Sequence, residues 1–135
     1  MVSFDDLLNR LGYDYPGFKF ITGHKFAFRP PKTIVIGPDE QNRELLILHE
    51  LGHATLGHRD FNTDVKRLKM EVEAWDQAKN LADKYEVEWD EEVAQNELDT
   101  YRDWLHKKSR CPKCGLTRFQ TPDGEYHCPR CENFT

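Results

Sequence analysis

The sequence predicts an α+β fold: a small, mostly antiparallel sheet packed on a motif-bearing helix and two further helices, followed by a C-terminal module built on cysteines. Three observations carry this. Short alternating or β-branched apolar runs occupy residues 18–36, and longer segments beyond residue 40 carry apolar residues at helical spacing. All four cysteines fall near the C-terminal end, as Cys111-x-x-Cys114 and Cys128-x-x-Cys131. The 135 residues, 38% hydrophobic and 32% charged with a mean hydropathy of -0.81, suffice for one compact domain (1–107) and a small appendage (108–135). This length excludes a multidomain enzyme, and the aromatic content of 12% argues against global disorder. No stretch approaches the roughly 20 apolar residues that cross a bilayer. The N-terminal residues MVSFDDLLNR carry acids where a secretory leader needs bases, so the expectation is a cytoplasmic protein without a membrane partner.

Taken in order, Ser3 can cap a short helix through Leu7, Leu8 and Leu11, with Asp5 and Asp6 in its first turn and Gly12 at its stop. Phe18 and Phe20, then Phe26 and Phe28, alternate on either side of Gly23-His24, which predicts a hairpin. Pro30-Pro31 then breaks the ladder before a third strand, Thr33–Ile36, which is β-branched throughout. Asp39 can cap a long helix to about Leu56, where Gly57 supplies a left-handed stop. A polar loop over 59–64 leads to a helix from about Val65 to Tyr85, with an apolar stripe of Leu68, Ala74, Trp75, Ala78, Leu81 and Ala82. A further helix spans roughly Asp90 to Lys107.

The helix expected around residue 49 contains His49-Glu50-Leu51-Gly52-His53, an H-E-x-x-H motif. Imidazoles four residues apart share one helix face, so both can reach a single tetrahedral Zn²⁺, with Glu50 one step away as general base. Zinc lowers the pKa of a coordinated water to about 7, and a carboxylate that takes its proton and passes it to a leaving amine hydrolyses peptide bonds. The apolar run Leu45–Leu48 means that this helix is buried, where ionisable groups need partners.

A catalytic zinc takes a third protein ligand. His58 is one candidate, but a continuous helix would turn it about 140° from His53, and its spacing misses the H-E-x-x-H-x-x-G-x-x-H pattern by one residue. It reads better, with Arg59, as a cation at the helix C-terminus. Glu71 and Glu73 also compete. Glu71 shares the inward stripe of Leu68, Ala74, Trp75 and Ala78, where a carboxylate is costly without a cation, whereas Glu73 shares a polar face and reads as a solvated charge. The expected ligands are therefore His49, His53 and Glu71. Tyr101, Tyr85 and His24 are candidates for stabilising the oxyanion, and an edge strand of the sheet is expected to align an extended peptide by β-addition.

The two cysteine pairs enclose 13 residues around Pro122-Asp-Gly124, a turn that lets Cys111, Cys114, Cys128 and Cys131 converge on one structural zinc in a ribbon. Residues 1–106 carry 13 Lys/Arg against 21 Asp/Glu, net -8, while the tail carries six against three, net +3. Its bases, with Phe119, Tyr126 and Phe134, suit nucleic-acid or protein docking. Against this, four thiolates on Zn²⁺ cut the net charge of +3 to about +1, so a merely stabilising cap is an equal reading.

Over residues 33–85 the chain resembles the ImmA/IrrE family of zinc metallopeptidases, gluzincins in which H-E-x-x-H is completed by a glutamate. The likeness rests on Thr33-Ile-Val-Ile36, on Leu46-Ile-Leu-His-Glu-Leu-Gly-His-Ala-Thr-Leu-Gly-His58 and on Glu71-x-x-Ala74-x-x-x-Ala78. The resemblance implies a compact α+β endopeptidase, with zinc on His49, His53 and Glu71 and with Glu50 as base, cleaving a regulatory, repressor-like protein. The chain departs from the usual family layout in its cysteine module. A protease domain followed by a zinc ribbon is also similar to the SprT family, which acts on DNA-associated proteins but takes a third histidine as ligand. A non-catalytic alternative is a two-zinc module that binds nucleic acid or protein, although such a module has no use for Glu50.

Overall fold

A computed structural model describes residues 3–38 and 40–132. Helix α1 (Phe4–Asp14) is capped by the Ser3 hydroxyl, which accepts from the Asp6 N–H, and buries Phe4, Leu7 and Leu11. Three short strands follow: β1 (Lys19–Thr22), β2 (Ala27–Arg29) and β3 (Thr33–Ile36). Next come α2 (Arg43–Thr55), α3 (Asp64–Lys84) and α4 (Glu91–Ser109). The chain ends in a two-stranded hairpin of β4 (Phe119–Gln120) and β5 (Tyr126–His127). None of the helices described is long and apolar enough to cross a membrane.

The expected hairpin at Gly23-His24 does not form. The order in the main sheet is β1-β3-β2, with β1 parallel and β2 antiparallel to the central β3. This sheet is therefore mixed, one pair of each kind, rather than mostly antiparallel. The physical reason lies in β3, whose Ile34 and Val35 are buried and take the doubly paired position. Gly23 passes against that strand: a Cβ there would lie 2.6 Å from Val35 Cγ1. Its N–H donates to the Ile36 carbonyl, prolonging the parallel ladder instead of opening a turn. Pro30-Pro31, read as a ladder breaker, lies in the tight link between β2 and β3.

Helix α2 is the centre of the molecule. Leu45, Ile47, Leu48, Leu51 and Ala54 are all buried, each large side chain contributing about 1.5–3 kcal/mol relative to exposure. The start proposed at Asp39 lies outside the described residues. Asn42 precedes the first turn in a left-handed conformation without a side-chain cap. Helix α3 packs against α2 through Ala74, Trp75, Ala78, Leu81 and Ala82, and the backbones come closest where Gly52 faces Ala74. The C-terminal end of α2 is a complete Schellman turn. Gly57 adopts φ +68°, the His58 N–H donates to the His53 carbonyl, and the Gly57 N–H donates to the Ala54 carbonyl.

The cysteine module is fastened to the body at Asp64, the first residue of α3. The buried Asp64 carboxylate accepts from the Tyr126 hydroxyl at 2.7 Å and pairs with Lys108 Nζ at 3.0 Å. Its N–H donates to the Gln120 side-chain oxygen at 2.6 Å. Arg118 adds a bond from Nη2 to the Lys108 carbonyl at 2.7 Å. Helix α4 runs to Ser109, directly before the first cysteine pair.

Candidate metal centre and cleft

The helical spacing of His49 and His53 turns both Nε2 atoms towards α3, where Glu71 projects from the inward stripe. Glu71 Oε2 lies 2.8 Å from His49 Nε2 and 3.2 Å from His53 Nε2, and all three side chains are buried. Zinc bonds of about 2.0–2.1 Å at tetrahedral angles set ligand atoms about 3.3–3.4 Å apart, within about half an ångström of both Glu71–histidine edges, and the three ligand atoms all lie within 4.8 Å of one another. Two imidazoles and one carboxylate also match the donor preferences of zinc. These three residues therefore form a group able to hold a metal ion.

Burial alone would raise the Glu71 pKa, but the hydrogen bonds to His49 and His53 outweigh it and hold the carboxylate well below its usual range. Burial likewise opposes a charged His49, yet contacts with Glu50 and Glu71 push it up to about 9. The cluster thus draws positive charge between its donors, the demand that a cation meets. Glu50 is buried with Oε1 3.2 Å from His49 Nδ1, on the side of that ring away from Glu71. The Trp75 indole stacks flat on the His49 ring, centroids 4.3 Å apart and planes 9° apart, and restrains its rotation.

His58 is not where a continuous helix would send it. The turn at Gly57 brings its Nδ1 to 2.9 Å from His53 Nδ1, while His58 Nε2 lies 3.7 Å from Glu73 Oε1. Two reasoned expectations change here. Burial, and then the nearby His53 charge, lower the His58 pKa, so His58 is a neutral hydrogen-bond partner rather than a helix-end cation. Glu73 backs it instead of standing alone in solvent. Were His53 Nε2 to bind a metal, its ring proton would reside on Nδ1 and be donated to His58 Nδ1, which would fix both ring tautomers. His58 meets the nitrogen of His53 remote from Glu71, so it supports a ligand candidate from behind.

The cluster opens into a cleft of about 680 Å³ walled by β2 and its approach (Lys25–Phe28), by α2, by α3 and by Tyr101 of α4. Of the three oxyanion candidates, only Tyr101 lines this cleft. Burial and then the Glu71 charge raise its pKa to about 12, which keeps the phenol protonated as a donor. Tyr85 is fully buried and donates to Asp14 Oδ2 at 2.6 Å, and neither it nor His24 lines the cleft.

The four cysteines also converge. Cys111 Sγ lies 3.9 Å from Cys131 Sγ, and Cys114 Sγ lies 3.6 Å from Cys128 Sγ. Zn–S bonds of about 2.3 Å imply edges of about 3.8 Å in a tetrahedral S₄ site, so this second group can also hold a metal. Gly115, at φ +77°, closes the first knuckle by donating to the Cys111 carbonyl. Backbone N–H groups of Cys114 and Lys113 pull the Cys111 thiol down to about 6, favouring the thiolate that a metal requires. His127 stands apart, 2.7 Å from Glu132. Phe134 lies outside the described residues. In comparisons with protein families, curated proteins and solved structures, nothing matches this chain.

Proposed function

We propose that this chain is a zinc-dependent endopeptidase of the gluzincin type, with its ion on His49, His53 and Glu71 and a second, structural zinc on Cys111, Cys114, Cys128 and Cys131. One observation carries the reading. Three buried donors meet at the floor of an open cleft, and the carboxylate of Glu50 lines the same cleft beside them, 3.2 Å from His49 Nδ1. A bound zinc supplies Lewis acidity to a scissile carbonyl and makes a water a competent nucleophile near neutral pH. Glu50 accepts the proton of the attacking water and returns it to the leaving amine. Tyr101 donates its hydroxyl towards the carbonyl oxygen as negative charge develops there.

The substrate enters as an extended chain. Strand β2 is an edge strand whose outer side has no strand partner among the described residues, and it borders the cleft, so a peptide can add to it as a further strand. The ImmA/IrrE resemblance makes that peptide part of a regulatory protein. The SprT alternative is less favoured, because His58 contacts the far nitrogen of His53 while Glu71 meets both near ones. A purely structural two-metal module leaves the cleft beside the histidine–glutamate cluster without purpose.

The test is Glu50→Gln on zinc-loaded protein, using a pool of unlabelled peptides read by mass spectrometry. The variant keeps its metal and loses cleavage by about 10²-fold or more. Equal processing by both forms places the chemistry elsewhere.

A further inference from the structure

Outside the metal centre the cleft is lined by the charged residues Lys25, Glu40, Arg59, Arg67 and Glu97, and of their cations Arg67 is the one held among aromatic rings. It lies on α3 one turn before Glu71 and shares its face, with Cβ atoms about 5–6 Å apart for such a pair. Its guanidinium sits among three rings, 5.4 Å from Phe61, 5.4 Å from Tyr101 and 5.2 Å from Trp104. Such packing fixes the position of the cation and leaves part of its N–H edge open to an anion. Among the described residues the Arg67 guanidinium has no ion pair and bonds no carboxylate or carbonyl oxygen, its polar side-chain contact being the Tyr101 hydroxyl. This is unusual in a body of net charge -8. The carboxylates three residues before it and four after it are occupied: Asp64 by Lys108 and Tyr126, and Glu71 by the two imidazoles.

Resting on the peptidase reading, we propose that Arg67 is an anion subsite of the cleft, taking a carboxylate of the substrate within one residue of the scissile bond. A guanidinium fork accepts a carboxylate through two parallel hydrogen bonds, and a fork already held by three rings loses little freedom in doing so. One residue of extended chain spans about 3.3–3.6 Å, so a carboxylate next to the reacting carbonyl covers the distance from the ligand triangle to a side chain one helical turn away. Tyr101 lies between the two, near enough to feel the charges of both Glu71 and Arg67, and couples the subsite to the reacting centre. The carboxylate is either the C-terminus of the substrate or an acidic side chain.

Three succinyl hydroxamates, which anchor on the metal, test this with zinc-loaded protein by inhibition or calorimetry. One ends in Gln with a free α-carboxylate, one in Glu amide with a free side-chain carboxylate, and one in Gln amide with neither. One of the two acids binds about 10–100-fold tighter than the neutral probe, and which one it is distinguishes a terminal from an internal acidic residue. Arg67→Met removes that preference while leaving the neutral probe's affinity unchanged, which also certifies the fold, and Arg67→Lys keeps part of it. Equal affinity for all three, or a preference that survives Arg67→Met, overturns the subsite alone. Failure of all three to bind overturns the metal centre and the subsite with it.

Discussion

Replacing Gly52 by alanine adds one methyl group where α2 and α3 come closest. The new Cβ would lie 2.5 Å from the Ala74 carbonyl oxygen and 3.3 Å from its carbon. Ordinary contact with that oxygen needs about 3.2–3.4 Å, so α3 must retreat by about 0.7–0.9 Å. Overpacking of this kind costs about 1–3 kcal/mol, and the clash is with backbone, which has no rotamer to escape into. Alanine's better helix propensity returns about 1 kcal/mol, so a net loss of up to about 2 kcal/mol is expected, a fall in Tm of up to about 8 °C for a chain of this size. The control is Gly12→Ala in α1, where nothing lies within 4 Å of the added carbon and the same substitution should stabilise by about 0.5–1 kcal/mol. Glu71 is one turn from Ala74, so retreat of α3 also opens the 2.8 and 3.2 Å edges of the donor triangle and weakens zinc binding. Thermal melts and a chelator-competition titration read both effects. If Gly52→Ala raises Tm as Gly12→Ala does and leaves metal affinity unchanged, the close approach of these helices is not what sets the triangle.

Removing the His58 imidazole deletes the hydrogen bond behind His53, so His58→Ala should weaken the affinity of the histidine–glutamate site about 10–100-fold, with partial recovery in His58→Gln. Chelator competition measures this, and an unchanged affinity would mean that His53 needs no such support. Asp64 supplies a pH dependence. Burial favours its neutral form, but the Tyr126 and Lys108 contacts prevail and lower its pKa in the folded protein. A depressed folded pKa gives stability that is present above the unfolded value of about 3.9 and lost as pH falls through the folded one. Asp64→Asn should therefore lower the urea midpoint at pH 7, with the gap to the original protein closing below about pH 4. A gap that stays unchanged between pH 5 and pH 3 would contradict the assignment.

The parts of the site legible in the sequence are those that follow from local periodicity. His49 and His53 share a face because α-helical spacing demands it, and Glu71 stands out as the one acid on an apolar stripe. The cysteine pairs need only a hairpin between them. What escaped depended on distant or unpredictable geometry. Gly23-His24 carries a local hairpin signal, yet the pairing is decided by the more deeply buried β3, a non-local competition among strands of three or four residues. His58 and Glu73 were separated from the centre because helical extrapolation carries past Gly57, although the glycine that ends the helix was itself readable. Had the Schellman turn been built from that glycine, the return of His58 to His53 would have followed. Arg67 carried a usable signal, its position four residues before Glu71, but only the ring cage around it distinguishes it from other surface cations.

Two separate groups of side chains are each expected to hold a zinc ion, one of them at the floor of the cleft. Counting zinc per chain by elemental mass spectrometry tests this most directly, on the purified protein, on His49→Ala/His53→Ala and on Cys111→Ser/Cys114→Ser. Two ions, then one, then one are expected. Two ions retained after loss of both histidines, or a single ion that disappears with the cysteines alone, would contradict this expectation.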